Sequence, residues 1–597
     1  MESARQSLEN FETALLREIL QKQLPSCGYT PSSTFSDWRQ SHYDSGFASA
    51  SSTRPQSVLY FDNSASTSNF TTPPQSPPTL NSIIKNRMPF EEWCESATAA
   101  SSHPLVPNHT IGQSEAQCQS SASLLSGSHL VQLLERIKSS RDEIELQKLV
   151  KELYYFCKEN GLSGIYDSNG VPVLIDLLKT DINPVLYYTI NLIHNVLIEG
   201  RDSSIASIRA SGGVECMVNK LVHSNYQFII VLTDALRLIT ASDKESKIIF
   251  SRSGGPRALL QLLKIYRINE KLLWTVSRLL KELSVCSSNK PEIVQAGGMQ
   301  VLSLHLGHRS NRLVQNILFT LRNLSDAATK QDNLEELLLQ LVSFLSSNDV
   351  HYLTCAAGVL SNLTCNNAKN KTMVCQLRGI EALLRTIENN TDKGEVIERC
   401  VCTLRHITSR HLAAEMAQNA IRELNGIPML MNLLQPQTRY PLIKALIGLF
   451  RNLSLCSDNH TVLREQGCIP KLWQLLNRSF QELQRRSGQP GECLLSNFLE
   501  CTTCCLYLLA KDPLNRSAMN QLNITPLLVQ FLNVVDERVQ LFVVKILSKL
   551  SLDDERVGLI IDRENGFQYI SDLAITSNNN ELATAALTLL SLLAFPS

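Results

Sequence analysis

A glycine-containing turn followed at once by an apolar helix recurs along most of this chain. The first four turns, at Gly170, Gly212, Gly254 and Gly297, are spaced by 42, 42 and 43 residues. The pattern returns at Gly379, Gly426, Gly467 and Gly566, with degenerate helix starts at Leu334 and Ile524. A period of this length is typical of arrays in which each repeat consists of two or three helices. The chain is therefore restricted to a stacked helical array.

Each repeat also carries a later apolar helix with a shared core. The cores are LIHNVL, TLRNLS, VLSNLT, TLRHIT, LFRNLS and ILSKLS. A glycine ends one helix and the next begins at once, which gives the short, long and long helices of an armadillo repeat. One repeat cannot bury its apolar face alone, so neighbours must stack. The sequence predicts an all-α, right-handed superhelical solenoid of about ten to eleven armadillo repeats over residues 126–597, with a polar loop inserted at 478–495.

Residues 1–125 have a different composition, rich in Ser, Thr, Pro and Gln, as in SGFASASSTRPQS and TTPPQSPPTLNS. Such a segment cannot bury enough apolar surface to offset the conformational entropy lost on folding. We expect a mostly disordered regulatory tail.

Composition excludes several classes of function. The 56 Lys and Arg balance the 56 Asp and Glu, so bulk charge does not indicate nucleic-acid or membrane binding. No stretch approaches the ~18 apolar residues of a membrane-spanning helix, and the N-terminus lacks a secretory signal. The 17 cysteines are scattered through apolar segments, and the tightest cluster, Cys501, Cys504 and Cys505, has no further ligands at metal-binding spacing. Without a nucleophile–base pair, a phosphate loop or a metal motif, we expect a cytoplasmic or nuclear protein that is not an enzyme and has no cofactor.

The third helix of each repeat lines the concave groove in this architecture. Asn195, Asn323, Asn362 and Asn452 occupy equivalent positions in the shared core of that helix. An amide can donate to and accept from the backbone of an extended ligand. Alternatively, these amides hold neighbouring repeats together.

Basic residues recur in or just after the same helices without matching acids. They are Arg322, Lys371, Arg405, His406, Arg410, Lys444 and Arg451. This arrangement predicts a positively lined groove whose natural ligand is an acidic extended peptide. Nucleic acid is the competing ligand, but aromatic interleaving and known motifs are absent, so we expect no direct binding to it.

Several segments resemble the β-catenin family nearly letter for letter. They are SVCSSNKP (284–291), LRNLSDAATKQ (321–331), TCAAGVLSNLTCNNAKNK (354–371), LRHITSRH (404–411), AEMAQNA (414–420) and LREQG (463–467). The resemblance implies a Wnt-pathway scaffold and coactivator whose groove binds TCF/LEF factors, cadherin cytoplasmic tails, APC and Axin. It places the two anchoring lysines at Lys247 and Lys371, with side chains that face the groove. Further groove contacts carried over from the family are His194, Asn195, Lys271, Arg322, Asn323, Asn362, Asn366, Arg405, His406, Arg410, Lys444 and Arg451.

The N-terminal tail contains a match to the DSGΦxS phosphodegron, Asp44-Ser45-Gly46-Phe47-Ala48-Ser49. The hydroxyls of Ser45, Ser49, Thr53 and Ser57 are spaced by four residues, which suits a kinase that reads a phosphate four residues downstream. Phosphates there would add charge for an Arg-rich ubiquitin-ligase pocket. We expect casein-kinase- and glycogen-synthase-kinase-type kinases and a ubiquitin ligase as partners, with Lys22 as the ubiquitin acceptor.

The chain also departs from the family pattern. Phe319 stands where the family has a groove tryptophan, and Gln227 replaces a groove lysine. Residues 85–125 do not match the α-catenin-binding helix, which makes α-catenin a doubtful partner and weakens the case for a role at cell junctions. The sequence ends at Ser597 without the family's long tail, so we expect a divergent, C-terminally short member. Three hypotheses remain open: a signalling coactivator, a tail-less modulator that competes for TCF or destruction-complex partners, and a cadherin adhesion adaptor.

The degron generates the first prediction. Ser45→Ala or Ser49→Ala should lengthen the half-life of the protein in cells with an active destruction complex, because each removes a phosphate that the ligase reads. A cycloheximide chase measures this, with Ser51→Ala as a control outside the four-residue spacing. An unchanged half-life for both variants would show that the motif is not a degron.

Overall fold

The computed structural model describes residues 119–199, 201–435, 438–485, 492–533 and 536–594. Throughout these residues the ordered elements are helices, and no strand occurs among them. The predicted all-α armadillo-repeat solenoid is confirmed. The degron residues and Lys22 lie outside the described residues.

The described chain forms two compact units. The first holds residues 119–301 with 307–320, and the second holds 302–306 with 321–594. The helices up to residue 324 are α1 Gln119–Ser139, α2 Glu143–Asn160, α3 Ser163–Asp167, α4 Gly170–Leu177, α5 Asn183–Glu199, α6 Arg201–Ala210, α7 Gly213–Asn219, a 3-10 turn Lys220–Val222, α8 Tyr226–Ser242, α9 Lys244–Arg252, α10 Gly255–Ile265, α11 Glu270–Ser284, α12 Lys290–Gln295, α13 Gly298–Ser303 and α14 Asn311–Leu324.

The remaining helices lie in the second unit. They are α15 Glu335–Phe344, α16 Val350–Thr364, α17 Ala368–Gln376, α18 Gly379–Asn389, α19 Gly394–Ile407, α20 Ala414–Glu423, α21 Gly426–Asn432, α22 Tyr440–Leu453, α23 Asn459–Glu465, α24 Cys468–Arg485, α25 Glu492–Leu509, α26 Pro513–Gln521, α27 Thr525–Phe531, α28 Glu537–Leu550, α29 Arg556–Arg563, α30 Gly566–Thr576 and α31 Asn580–Ala594.

The third helices of successive repeats pack against one another and form the spine of each unit. In the first unit α2, α5, α8 and α11 stack in that order, and in the second unit α16, α19, α22, α25, α28 and α31 do the same. Their contact faces carry fully buried aliphatic side chains such as Leu236, Leu279, Leu404 and Leu449. Each repeat thus completes its apolar core only with its neighbours, as expected for a stacked array.

A residue in the left-handed conformation precedes the second helix of nearly every repeat. The positions are Asn169, Gly212, Gly254, Gly297, Asn333, Arg378, Asn425, Gly467, Asn523 and Asn565. Glycine and asparagine adopt this conformation at low cost, which explains their recurrence. The sharp turn lets the second helix fold back on the first.

The prediction that the glycine itself breaks the helix is wrong at Gly170, Gly379, Gly426 and Gly566. There the preceding residue is left-handed, and the glycine is the first residue of the second helix. A Cβ on Gly379 would lie 2.4 Å from Cγ1 and 2.6 Å from the carbonyl oxygen of Val374. Glycine is needed at this position because the helix packs directly on the preceding turn.

The predicted polar loop at 478–495 is largely helical. Helix α24 continues to Arg485 and α25 begins at Glu492, so only the intervening residues lie outside the described chain. Phe480 holds this extension in place, because its buried ring packs against Phe531 with ring centroids 4.4 Å apart. An apolar residue at helical spacing from Leu476 carries the helix through the polar stretch.

Several cysteines are buried free thiols, including Cys400, Cys468 and Cys505. Burial raises the pKa of Cys504 to about 12 and that of Cys157 to about 12. Thiols with such pKa values stay protonated at neutral pH and pack as small apolar groups.

Arg378 generates a stability prediction, because it alone among the left-handed turn residues named above is neither glycine nor asparagine. A residue with a Cβ in this conformation destabilises the folded state by about 1–2 kcal/mol. Glycine removes this strain, but part of the gain in stability is offset because glycine loses more conformational entropy on folding. We expect Arg378→Gly to stabilise the second unit by about 0.5–1 kcal/mol in urea denaturation. Arg378→Ala is the control, since it also loses the exposed ion pair with Glu381 but keeps the strain. Equal effects of the two variants would contradict a strained turn.

Candidate functional site

The predicted groove residues lie on the third helices or on the segments that directly follow them. In the first unit, His194 and Asn195 are on α5, Lys247 is on α9 and Lys271 is on α11. In the second unit, Arg322 and Asn323 end α14, Asn362 is on α16, Asn366 follows α16, Lys371 is on α17, Arg405 and His406 are on α19, Arg410 follows α19, and Lys444 and Arg451 are on α22. Within each unit the repeats bring these side chains onto the stacked spine.

The recurrent asparagines bond neighbouring repeats where the structure shows their partners. Asn362 Nδ2 donates to Ser325 Oγ at 2.8 Å. Asn452, which is 1% exposed, donates to the carbonyl of Arg405 at 2.8 Å and to Thr408 Oγ1 at 3.2 Å. Of the two roles considered for these amides, the geometry at Asn362 and Asn452 favours the one that holds repeats together.

Arg322 extends from α14 across α16 to the start of α19. Its Nη2 lies 2.6 Å from Glu395 Oε1. On the way its side chain passes over Gly358 on α16, where a Cβ would lie in ordinary contact with Arg322 Nε at 3.7 Å. The expectation that the groove cations have no matching acids is therefore wrong at Arg322. The acid was missed because it lies not in a third-helix core but at the N-terminal turn of a helix far along the sequence.

Arg405 and His406 are largely buried, with exposures of 6% and 3%. Arg405 Nη2 lies 3.1 Å from His406 Nε2, and His406 Nδ1 lies 3.2 Å from Thr364 Oγ1. A glycine on the next third helix makes room for Arg405, because a Cβ on Gly448 would lie 2.7 Å from Arg405 Cδ. Arg405 and His406 are therefore fixed within the spine.

Lys444 and Arg451 meet Arg405 at a small cavity between α19, α22 and α25. The cavity has a volume of about 30 Å³, and the carboxylate of Glu500 also lines it. That volume suits one or two waters rather than a ligand side chain. Glu500 also pairs with Arg538 at 3.3 Å. The local balance is positive, but the cations are tightly packed.

Lys371 does not face the groove as the family resemblance implied. The side chain is 0% exposed, and Nζ donates to the carbonyl of Ser409 at 3.1 Å. Asn367 caps α17 by accepting from the amide of Asn370, and the first turn of α17 directs Lys371 under the segment that follows α19. This lysine holds two repeats together, so we expect its replacement to lower the stability of the fold.

In the first unit, Asp234 on α8 fixes His194, a contact that the sequence reading did not identify. His194 Nε2 lies 3.0 Å from Asp234 Oδ2, and Arg237 Nε donates to Asp234 Oδ1 at 2.8 Å. Burial opposes ionisation of Asp234, but the hydrogen bond from His194 and the charge of Arg237 outweigh it and hold the pKa of Asp234 well below its usual value. Arg278 on α11 approaches the same carboxylate at 3.6 Å. Asp234 is a permanent counter-ion of this cluster.

A basic cleft lies on α11 and α14 in the first unit. It has a volume of about 270 Å³ and is lined by Trp274, Arg278, Lys281, Glu282, Arg312, Gln315 and Asn316. The guanidinium of Arg278 stacks 4.5 Å from the centre of the Trp274 ring, and Lys281 Nζ lies 5.3 Å from the centre of the Phe319 ring. Three cations against one acid suit an acidic group held against an aromatic surface.

On α11 the sequence analysis predicted only Lys271 as a groove residue. It missed Arg278 and Lys281 on the same helix and Arg312 on α14. The signal was present, because Lys271, Trp274, Arg278 and Lys281 follow one another at intervals of three and four residues. That spacing places them on one face of α11. Lys271 itself is exposed at the start of this face, and Lys247 is half-buried on α9.

Two further chemical features of the described residues bear on the site. No helix among them combines the length and apolar character needed to cross a bilayer. In the same part of the chain, no group of three or more His, Cys, Asp and Glu side chains is arranged to hold a metal ion.

The repeat geometry and the cationic third helices define the class as an armadillo-repeat protein. A catenin beta from Urechis caupo is 42% identical over 492 residues, which cover 81% of this chain and 59% of that relative. A junction plakoglobin from Homo sapiens is 42% identical over 531 residues, which cover 86% of this chain and 71% of the relative. The chain belongs to the family of β-catenin and junction plakoglobin, and it spans about 59% of the length of the Urechis protein.

A solved structure supports the same family. It comes from work on a phosphorylation switch that controls the interaction between cadherin and β-catenin, and it is 27% identical with a TM-score of 0.68. The match covers 79% of this chain and 91% of that one. No protein-family model matches the chain.

Lys371 generates a prediction. Lys371→Met keeps the apolar stem but leaves the carbonyl of Ser409 without its donor, so we expect a loss of about 1–3 kcal/mol of stability. Lys371→Ala should cost more, because it also leaves a cavity. Lys369→Met is the control, since that side chain is 76% exposed and pairs only with Asp332 across the surface. Urea denaturation measures the differences, and equal stability of the Lys371 and Lys369 variants would contradict the buried position.

Proposed function

We propose that this chain is a non-enzymatic binding scaffold that holds acidic extended segments of partner proteins along its third helices. The basic cleft of α11 and α14 carries this proposal, because its three cations and aromatic floor match a carboxylate-bearing peptide. Family membership supports the same ligand class, since the related β-catenin structure concerns an interaction with cadherin.

The cadherin cytoplasmic tail is the first partner that we propose. TCF/LEF factors, APC and Axin are further candidates, supported by the resemblance of the groove segments and by the positions of His194, Asn195, Lys247, Lys271 and Arg322. All these partners share the chemistry that the cleft would recognise, an extended chain with closely spaced acids. The corresponding locations are the cytoplasm, the nucleus and cell junctions.

We further propose that the N-terminal Ser/Thr relay sets the abundance of the scaffold. Support comes from the sequence alone, through the Asp44–Ser49 motif and the four-residue spacing that continues to Ser57. Phosphate-dependent recognition would make the level of the scaffold respond to kinase activity. A Wnt-responsive signalling role combines this control with binding of TCF-type factors.

Charge reversal in the cleft tests the binding proposal. Lys281→Glu should weaken binding of an acidic cadherin-tail peptide by about tenfold or more at low salt, because a partly desolvated attraction becomes a repulsion. Calorimetry measures the affinity at two salt concentrations, and the salt dependence should fall with the lost cation.

Lys264→Glu is the matched control. Lys264 lies in the same repeat on α10, is exposed and makes no ion pair with a described residue. The charge change is identical, but the position is on the second helix. If both variants bind equally well, or if the unmodified chain does not bind the peptide, the proposed function is wrong.

A further inference from the structure

Glu395 forms an ion pair with Arg322, which is one of the cations that the proposed function assigns to ligand binding. The pair joins α14 to the first turn of α19 at 2.6 Å, and the two side chains are 33% and 54% exposed. Arg322 passes over Gly358 on the intervening third helix, where a Cβ would lie in ordinary contact with Arg322 Nε at 3.7 Å. The contact is therefore built into the surface of three successive repeats.

The two acids that neutralise groove cations differ in how firmly they are held. Asp234 is largely buried and is contacted by His194, Arg237 and Arg278. Glu395 is more than half exposed, and among the described residues it forms an ion pair with Arg322 alone. Ion pairs exposed to this degree contribute little because solvent screens them, so an incoming anion can displace Glu395 more readily than Asp234.

Glu395 has a favourable place to remain when it is displaced. It lies in the first turn of α19, where the amide dipoles of the helix favour a negative charge. Release from Arg322 therefore does not leave the carboxylate in an unfavourable environment. The neighbouring acid Glu398 cannot replace it, because Glu398 is nearly buried and pairs with Arg439 at 3.5 Å.

We propose that Glu395 is an internal competitor for the acidic ligand at Arg322 and sets a threshold for which ligands bind. A carboxylate or phosphate that approaches Arg322 must displace Glu395 or accept its repulsion. Sparsely charged segments lose more of their affinity to this competition than densely charged ones. The inference rests on the proposed function, since it concerns the same acidic ligands.

A double-mutant cycle with the acidic cadherin-tail peptide tests this role. Glu395→Gln keeps the shape of the side chain and removes its charge, so we expect binding to tighten by about fivefold, which corresponds to the upper range for an exposed pair. In an Arg322→Gln background the same change should have no effect on affinity, because the cation under competition is gone.

Asp392→Asn is the matched control. Asp392 lies three residues before Glu395, is exposed and makes no ion pair with a described residue. It removes the same charge from nearly the same place, so it should alter affinity by less than about twofold. The melting temperatures of Glu395→Gln and Asp392→Asn should agree, which separates competition from a role in folding.

The outcomes are distinct. If Glu395→Gln and Asp392→Asn tighten binding equally, or if the tightening persists in the Arg322→Gln background, the effect comes from overall charge. Either result would overturn the inference. Binding by the unmodified chain with no gain in Glu395→Gln would overturn the inference alone. Failure of both forms to bind would overturn the proposed function and the inference together.

Discussion

The packing of one third helix on the next is the interaction on which the rest of this structure depends. A repeat of about 42 residues has too little apolar surface to form a core by itself. Polar side chains reinforce the stacking by bonding the backbone of the neighbouring repeat. Examples are Lys220 to the carbonyl of Thr180 at 2.7 Å, Thr386 to Leu345 at 3.0 Å, Asn452 to Arg405 at 2.8 Å and Lys471 to Met431 at 2.7 Å. Because these bonds satisfy buried carbonyls, their loss costs more than a surface contact would.

This constraint decides which groove residues can bind a ligand. Lys371 and Asn452 carry the polar groups expected of ligand contacts, yet both are committed to neighbouring repeats. Lys281 and Arg312 lie on the open side of the same kind of helix, around a cleft of about 270 Å³. Residues with the same chemistry therefore divide into those that build the spine and those that the spine presents.

The sequence predicted the repeat period, the three-helix repeat and the helices that carry the basic residues, because these follow from apolar spacing and turn residues. It did not distinguish Gly379, which avoids a clash with Val374, from Arg378, which makes the turn. It also treated residues 478–485 as a loop, since one apolar ring at Phe480 is a weak signal among polar neighbours. In the groove it missed Glu395 and Asp234, whose cations come from other repeats. Pairing across repeats depends on the angle between helices, which a single sequence does not specify.

The acids that pair with the groove cations link the stacking of the repeats to the proposed choice of ligand. The chain is net neutral, so cations gathered on one surface must be balanced by acids elsewhere, and the stacking decides where those acids can reach. At Asp234 the acid comes from the adjacent third helix, and its contacts with His194, Arg237 and Arg278 make the pairing permanent. At Glu395 it comes from a helix start two third helices away, where solvent screens the pair. A cation whose counter-ion is firmly held helps to fix the shape and register of the repeats. A cation whose counter-ion is exposed can still attract a ligand, because displacing that counter-ion costs little free energy. Under the proposed function, the affinity for an acidic ligand therefore depends on the exposure of these acids as much as on the number of cations.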